Sequence, residues 1–256
     1  MNVRSPVHEN YIRCFGAGRP APLTLSYDID NGGKMNDSLT ILKAGALRFR
    51  SEVYAYRKEV YELAARQPQA PHTLVITCAD SRIDPEALMQ AGPGEIFVTR
   101  NIGNIVPSYG EMLGGVSAVI EYAVSALKVR HVVVCGHSDC GAMKALLRPE
   151  STTDMPSVAN WLTNARSALV ITEACRVAEE QPVDTLRRLT EENVLMQIAH
   201  LKTHPAVAGA IAQEQLTISG WVYDIAAGEV RIFENGVGAF ELLENAEMSL
   251  EVSDNS

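Results

Sequence analysis

The feature that most constrains this fold is an alternation of short apolar runs with helical segments between residues 72 and 140. The runs HTLVIT (72–77), EIFVT (95–99) and HVVVC (131–135) have the length and composition of buried strands. Between them, Asp84-Pro85-Glu86 is a typical helix start, and GGVSAVIEYAVSALKV (114–129) indicates a long apolar helix. The alternation predicts an α/β fold with a mostly parallel central β-sheet flanked by helices.

The pattern continues towards the end of the chain. A helix is expected directly after Cys140 and another over 184–204. The segments LTISGWVYD and EVRIFE then predict two strands, joined by AAG as a hairpin at the edge of the sheet.

The N-terminal part of the sequence has a different character. Residues 1–34 contain Pro, Gly, Asn and Asp with no sustained period, which is typical of a flexible extension. Residues 38–66 have apolar positions at helical spacing and predict an amphipathic helical arm on a single domain spanning 35–256. Met35 lies directly before this arm, and an alternative is that Met35 is the natural initiator.

Composition excludes several classes of partner. The 256 residues are 46% hydrophobic, which is enough for one sizeable core, and the formal net charge of −9 argues against a nucleic-acid partner. No apolar run approaches the ~18 residues of a membrane-spanning helix, so no membrane partner is expected. The cysteines are odd in number and scattered, which favours a reducing, cytoplasmic setting over a disulfide framework; they are Cys14, Cys78, Cys135, Cys140 and Cys175.

Polar residues follow two of the predicted strands. In HTLVITCADSR, Cys78 follows the first strand, with Asp80 and Arg82 each two residues further on. In VVVCGHSDCG, His137 and Cys140 lie beyond the third strand in a Gly-flanked turn, whereas Cys135 should point into the core. Because parallel strands align their carboxyl ends, the two turns can meet at one crevice. Two thiolates and one imidazole suit zinc, with a fourth position open to water or a carboxylate.

Taken together, CADSR (78–82), RNIGNIVP (100–107), GGVSAVIEYAV (114–124) and GHSDC (136–140) resemble the β-class carbonic anhydrases. The similarity runs from residue 44 to residue 233. It implies the β-carbonic anhydrase fold, a bound Zn2+, and a homodimer or dimer-built tetramer in which the N-terminal helices embrace the partner. The implied metal ligands are Cys78, His137 and Cys140.

The resemblance also implies an activity, the reversible hydration of CO2 to bicarbonate and a proton by a zinc-bound hydroxide. Asp80 and Arg82 correspond to the catalytic pair, in which Asp80 accepts a hydrogen bond from the hydroxide and Arg82 keeps Asp80 off the metal. Arg100 and Gly136 are predicted to lie on the substrate side. For Arg100, a role at a dimer interface or as a surface ion-pair partner is an alternative.

Other interpretations stay open on the sequence alone. The same fold and metal suit hydrolysis of carbonyl sulfide or carbon disulfide, and a site closed by Asp80 would make the chain a zinc-stabilised binding or redox protein. Arg82 argues against a closed site, because a purely structural four-ligand site does not need it. His200 and His204 share a helix face four residues apart; we interpret this pair as a solvated helix end, with metal binding as the alternative.

Overall fold

The computed structural model describes residues 35–111, 114–177, 179–233 and 238–244, with side chains from residue 38 onwards. The chain divides into two compact units, Met1–Gln69 and Ala70–Ser256. The predicted extension over 1–34 lies outside the described residues. The extent of a single domain over 35–256 stays a prediction.

The first unit is helical, as predicted for the arm. Helix α1 (Met35–Arg48) runs into a π-helical turn (Phe49–Tyr54), and helix α2 (Lys58–Arg66) follows. Helix α1 begins three residues before the predicted arm, and the arm is divided by the π-helical turn and a short break at Arg57.

Apolar side chains of this unit cluster in part and are exposed in part. The ring of Tyr61 stacks on Tyr54 with centroids 5.5 Å apart and meets the edge of Phe49 at 5.6 Å. Leu42 and Leu47 are each 70% exposed. Exposed apolar residues at this density are typical of a surface that another element covers.

The second unit contains a six-stranded sheet in the order β2-β1-β3-β4-β5-β6. Strands β1 to β4 are parallel, and β5 and β6 add antiparallel strands at one edge, which confirms the mostly parallel sheet. The strands are β1 (Thr73–Cys78), β2 (Ile96–Asn101), β3 (His131–His137), β4 (Thr217–Asp224), β5 (Glu229–Phe233) and β6 (Glu241–Leu242).

Helices flank this sheet. Those of the second unit are α3 (Pro85–Leu88), α4 (Gly115–Glu121), α5 (Gly141–Leu147), α6 (Pro156–Leu162), α7 (Arg166–Ala174), α8 (Pro182–Lys202) and α9 (Pro205–Ala212). Helix α4 continues as a π-helical turn, Tyr122–Ala126, and 3-10 turns cover Ile102–Asn104, Pro149–Thr152 and Thr163–Ala165. In the described part of the chain, no helix is both long and apolar enough to cross a membrane.

Strand order creates a crevice between β1 and β3. From β1 the chain moves to β2 on one side, whereas β3 lies on the other side of β1. Side chains that follow the carboxyl ends of β1 and β3 therefore face a topological switch point, which is where open α/β sheets bind ligands.

Helix α8 packs across the sheet beside this crevice. A Cβ added at Gly136 in β3 would lie 2.9 Å from Val194 Cγ2, and one added at Gly220 in β4 would lie 2.9 Å from Val194 Cγ1. Val194, on α8, is fully buried and contacts both strands. Both glycines are therefore required for the close approach of α8 to the sheet.

Candidate metal centre

The carboxyl end of β1 positions the first set of polar residues. Cys78 is the last residue of the strand and is buried. Two residues on, Asp80 receives two hydrogen bonds from the Arg82 guanidinium, Nε to Oδ1 at 2.9 Å and Nη2 to Oδ2 at 2.7 Å, and a third from the Arg82 backbone N–H at 3.0 Å. This bidentate pair holds the pKa of Asp80 well below its usual range and raises the pKa of Arg82.

The carboxyl end of β3 positions the imidazole. His137 is the last residue of the strand. The prediction that it lies in the turn beyond the strand is therefore wrong, because β3 extends past the predicted end at Cys135. Its Nδ1 lies 2.8 Å from the carbonyl oxygen of Ser138, which can only accept, so Nδ1 carries the hydrogen. The other ring nitrogen, Nε2, is buried without a hydrogen-bond partner. An imidazole oriented in this way presents a lone pair, as metal-ligating histidines do.

The second thiol completes the group. Cys140 immediately precedes helix α5 and is 1% exposed. Its S–H is the main cause that lowers the pKa of Cys78. Burial opposes this effect, whereas the neighbouring His137 side chain and the backbone N–H groups of Gly103 and Asp80 add to it. The neighbouring Cys78 thiolate in turn raises the pKa of Cys140, so one thiolate forms readily and a cation is needed to favour the second.

The structure brings the three predicted ligands together. The ligand atoms of Cys78, His137 and Cys140 all lie within 4.8 Å of one another, and all three residues are buried. Two thiols and one unpartnered imidazole nitrogen, all from buried residues, fit a zinc ion, which is bound by sulfur and nitrogen in many proteins. Asp80 Oδ2 lies 3.9 Å from His137 Nε2 and borders this group.

Arg100 has contacts that the sequence did not indicate. From β2, its Nε donates to the carbonyl oxygen of Cys78 at 3.0 Å, and its Nη2 donates to the carbonyl oxygen of Asp80 at 2.6 Å. Arg100 therefore fixes the backbone of the turn that carries Cys78 and Asp80. These backbone contacts do not test whether Arg100 also binds substrate, which stays a prediction.

Gly136 is also predicted to lie on the substrate side. The structure places it in β3 directly before His137, where its Cα faces Val194 and Thr190 of α8. This packing explains the glycine without reference to substrate, and its predicted contact with substrate stays a prediction.

Sequence reasoning missed Asp139 as a partner of Arg82. Arg82 Nη1 donates to Asp139 Oδ2 at 2.9 Å, and Lys144 of α5 pairs with the other carboxylate oxygen. Lys144 and Arg82 together lower the pKa of Asp139. Asp139 is part of the GHSDC segment, so its proximity to the site could have been inferred, but its partner could not.

The interpretation of His200 and His204 as a solvated helix end is wrong. His204 is 3% exposed, and its Nε2 lies 3.0 Å from the carbonyl oxygen of Pro107; His200 Nδ1 lies 2.9 Å from that of Val106. Both imidazoles therefore bridge α8 and its C-terminal end to the loop that follows β2.

Cys135 is 2% exposed, which confirms its predicted place in the core, and burial raises its pKa to about 12.

Comparisons with known proteins identify relatives of this chain. A family model described as carbonic anhydrase matches residues 73–230. The chain is 48% identical over 186 residues to a carbonic anhydrase of Pseudomonas aeruginosa, covering 73% of this chain and 83% of the relative.

Solved structures show the same fold. The structure of the β-carbonic anhydrase CcaA matches with a TM-score of 0.77 and 34% identity, covering 80% of this chain and 92% of the other. One of two tetrameric β-carbonic anhydrases from the filamentous ascomycete Sordaria macrospora matches with a TM-score of 0.66 and 27% identity, covering 80% of this chain and 99% of the other. On the evidence of its strand order, its cysteine-histidine-cysteine group and these relatives, the chain belongs to the β-class carbonic anhydrases.

Proposed function

We propose that this protein catalyses the reversible hydration of CO2 to bicarbonate and a proton at a zinc ion held by Cys78, His137 and Cys140. The observation that carries the proposal is the convergence of three buried ligand atoms, one of them the unpartnered His137 Nε2, beside the carboxylate of Asp80. Membership of the carbonic anhydrase family supports the same reaction.

A zinc ion bound here supplies Lewis acidity, which lowers the pKa of a ligand water towards ~7 and makes a nucleophile available for the carbon of CO2. The chain provides the ligands and their orientation. The Ser138 carbonyl fixes the ring of His137, and backbone N–H groups of Gly103 and Asp80 stabilise the thiolate of Cys78. These contacts set the geometry of the site before any metal binds.

Asp80 and Arg82 act on the water. Because Arg82 keeps Asp80 ionised through neutral pH, the Asp80 carboxylate only accepts hydrogen bonds there. Asp80 would thus accept a hydrogen bond from the O–H of the nucleophile and help to orient that oxygen towards CO2. The two-pronged contact with Arg82 also limits movement of Asp80 towards the metal ligands, which supports an open site over one closed by Asp80.

On the substrate side we propose Arg100 and Gly136. The guanidinium of Arg100 has N–H donors beyond the two that bond to Cys78 and Asp80, and such donors suit anionic bicarbonate. Gly136 directly precedes the ligand His137 in β3, and this proximity to the ligand group is what supports its proposed place on the substrate side.

The test is stopped-flow CO2 hydration by the zinc-loaded protein across pH ~6.5 to ~9, which brackets the expected ionisation near ~7. We expect rapid turnover that is lost in Cys78→Ser, with Cys175→Ser as the matched control because Cys175 is exposed and outside the group. No hydration at any pH, in a sample with zinc verified by elemental analysis, would refute the proposal. Turnover of carbonyl sulfide or carbon disulfide by that same sample would then favour the hydrolase alternative.

We further propose a homodimer or a tetramer built from dimers, located in the cytoplasm. The exposed apolar residues of α1 support assembly, as does the similarity to a tetrameric fungal relative. Each cysteine that the structure describes is a free thiol, which suits a reducing compartment. Sedimentation equilibrium measures the assembly, and a monomer at micromolar concentration would contradict it.

A further inference from the structure

Arg82 connects the two turns that follow β1 and β3, beside the predicted metal ligands. One edge of its guanidinium, Nε and Nη2, bonds to Asp80 in the turn after β1. Nη1 bonds to Asp139 Oδ2 at 2.9 Å, and Nη2 also approaches the Asp139 carbonyl oxygen at 3.3 Å, in the turn after β3. The same side chain therefore spans both sides of the crevice.

Asp139 is itself held in a specific conformation. Its backbone φ is +60°, in the left-handed region that few residues other than glycine adopt. Lys144, from α5, pairs with the carboxylate oxygen that Arg82 leaves free. Two carboxylates and two cations thus alternate from Asp80 through Arg82 and Asp139 to Lys144.

We infer that Asp139 is a positioning residue for the proposed reaction: by bonding to Nη1, it fixes the rotation of the Arg82 guanidinium at which Nε and Nη2 meet Asp80. The Arg82 side chain has several rotatable bonds. If it bonded only to Asp80, the guanidinium and the Asp80 carboxylate could move together as a pair. A second acceptor on the opposite turn removes this freedom. Lys144 supports the arrangement by holding the Asp139 carboxylate. The inference rests on the proposed function only for its effect on turnover.

A role of Asp139 in folding stability can be distinguished from a role in positioning Arg82. The side chains of Arg82, Asp139 and Lys144 are 46%, 52% and 50% exposed, and ion pairs at such exposure add little to the free energy of folding. Loss of Asp139 should therefore leave the thermal midpoint almost unchanged while it changes the surroundings of the metal ligands. The two roles can be separated by measuring both.

The experiment compares Asp139→Ala, Asp139→Asn and Lys144→Met with wild type and with a control, Asp184→Ala. Asp184 is a partly exposed carboxylate paired with Arg187 on α8, so its removal reproduces the loss of a surface ion pair away from the crevice. Each protein is loaded with Co2+ for visible absorption spectra and with Zn2+ for CO2 hydration and for the rate of zinc loss to a chelator.

We expect Asp139→Ala to lower kcat/KM by about fivefold, the equivalent of about 1 kcal/mol at 1.36 kcal/mol per tenfold. Its cobalt spectrum should change, because a released Asp80 reaches the metal ligands more often. Asp139→Asn keeps an oxygen acceptor for Nη1 and should recover to within about twofold of wild type. Lys144→Met should shift the spectrum in the same direction by less, and Asp184→Ala should match wild type.

A wild-type cobalt spectrum and wild-type kcat/KM in Asp139→Ala would overturn the inference, as would Asp139→Asn impaired as severely as Asp139→Ala. A wild type without CO2 hydration would instead refute the proposed function. In that case the cobalt spectra and the rates of zinc loss still decide the role of Asp139.

Discussion

Replacing Gly136 by alanine tests whether the close packing of α8 on the sheet sets the position of the metal ligands. Gly136 lies in β3 directly before His137, and an added Cβ would lie 2.9 Å from Val194 Cγ2 and 3.1 Å from Thr190 Cγ2. Carbon atoms pack comfortably at about 3.5–4.0 Å, so α8 or β3 has to move. Val194 cannot easily turn away, because it is fully buried and β-branched residues in helices have one strongly preferred rotamer.

The expected cost follows from overpacking. Inserting a methyl group into a well-packed core costs about 1–3 kcal/mol. For a chain of this size, that corresponds to a fall of about 5 °C in the thermal midpoint. Movement of β3 also displaces His137, so we expect zinc to leave Gly136→Ala faster than it leaves wild type.

The assay is a double-mutant cycle measured by denaturant unfolding of the zinc-loaded proteins. Val194→Ala alone leaves a cavity and should cost about 2 kcal/mol, but it removes the nearer of the two atoms that the new methyl group meets. The double variant should therefore be at least about 1 kcal/mol more stable than the sum of the single effects predicts. Gly209→Ala in α9 is the control, because its Cβ meets nothing within 4 Å and alanine should stabilise the helix by about 0.5–1 kcal/mol. If the Gly136 and Val194 effects add to within about 0.5 kcal/mol, steric contact between them is not the cause and the reasoning fails.

Further predictions concern the ligands and the core. Cys78→Ser should lose bound zinc as well as turnover, measured by elemental analysis after desalting; retention of one zinc per chain would contradict its assignment. Gln197→Leu should destabilise the protein by about 1–3 kcal/mol in urea unfolding, because the buried N–H of Val106 loses its acceptor at 2.8 Å; an unchanged midpoint would show that this bond contributes nothing. In the native protein at pH 8, iodoacetamide should modify the exposed thiol of Cys175 and leave Cys135 intact, since burial raises the pKa of Cys135 to about 12; peptide mass mapping that finds Cys135 modified first would refute this.

Local sequence patterns predicted strands β1 to β5 and the longest helices, with errors at their ends, and missed the two-residue strand β6. The apolar run that leads into Cys78 is a strand, and the run that leads into Cys135 is a longer one that also includes His137. Helices α6 and α7, over 156–174, were not predicted. Each is short, and a 3-10 turn separates them, so no long helical period marks this segment in the sequence. The burial of His204 was missed for a related reason: two histidines on one helix face look the same whether water or a loop covers them.

By itself, the sequence determined the parallel sheet and the three residues that could bind a metal at its edge. Buried parallel strands are short apolar runs, and residues at their carboxyl ends share one crevice whatever the details of the loops. Only the tertiary structure decided that Arg100 bonds to the backbone carbonyls of Cys78 and Asp80, and that Arg82 reaches Asp139 across 57 residues of sequence. Such contacts depend on strand register and on the turn conformations at both strand ends, which no local pattern of residue types contains.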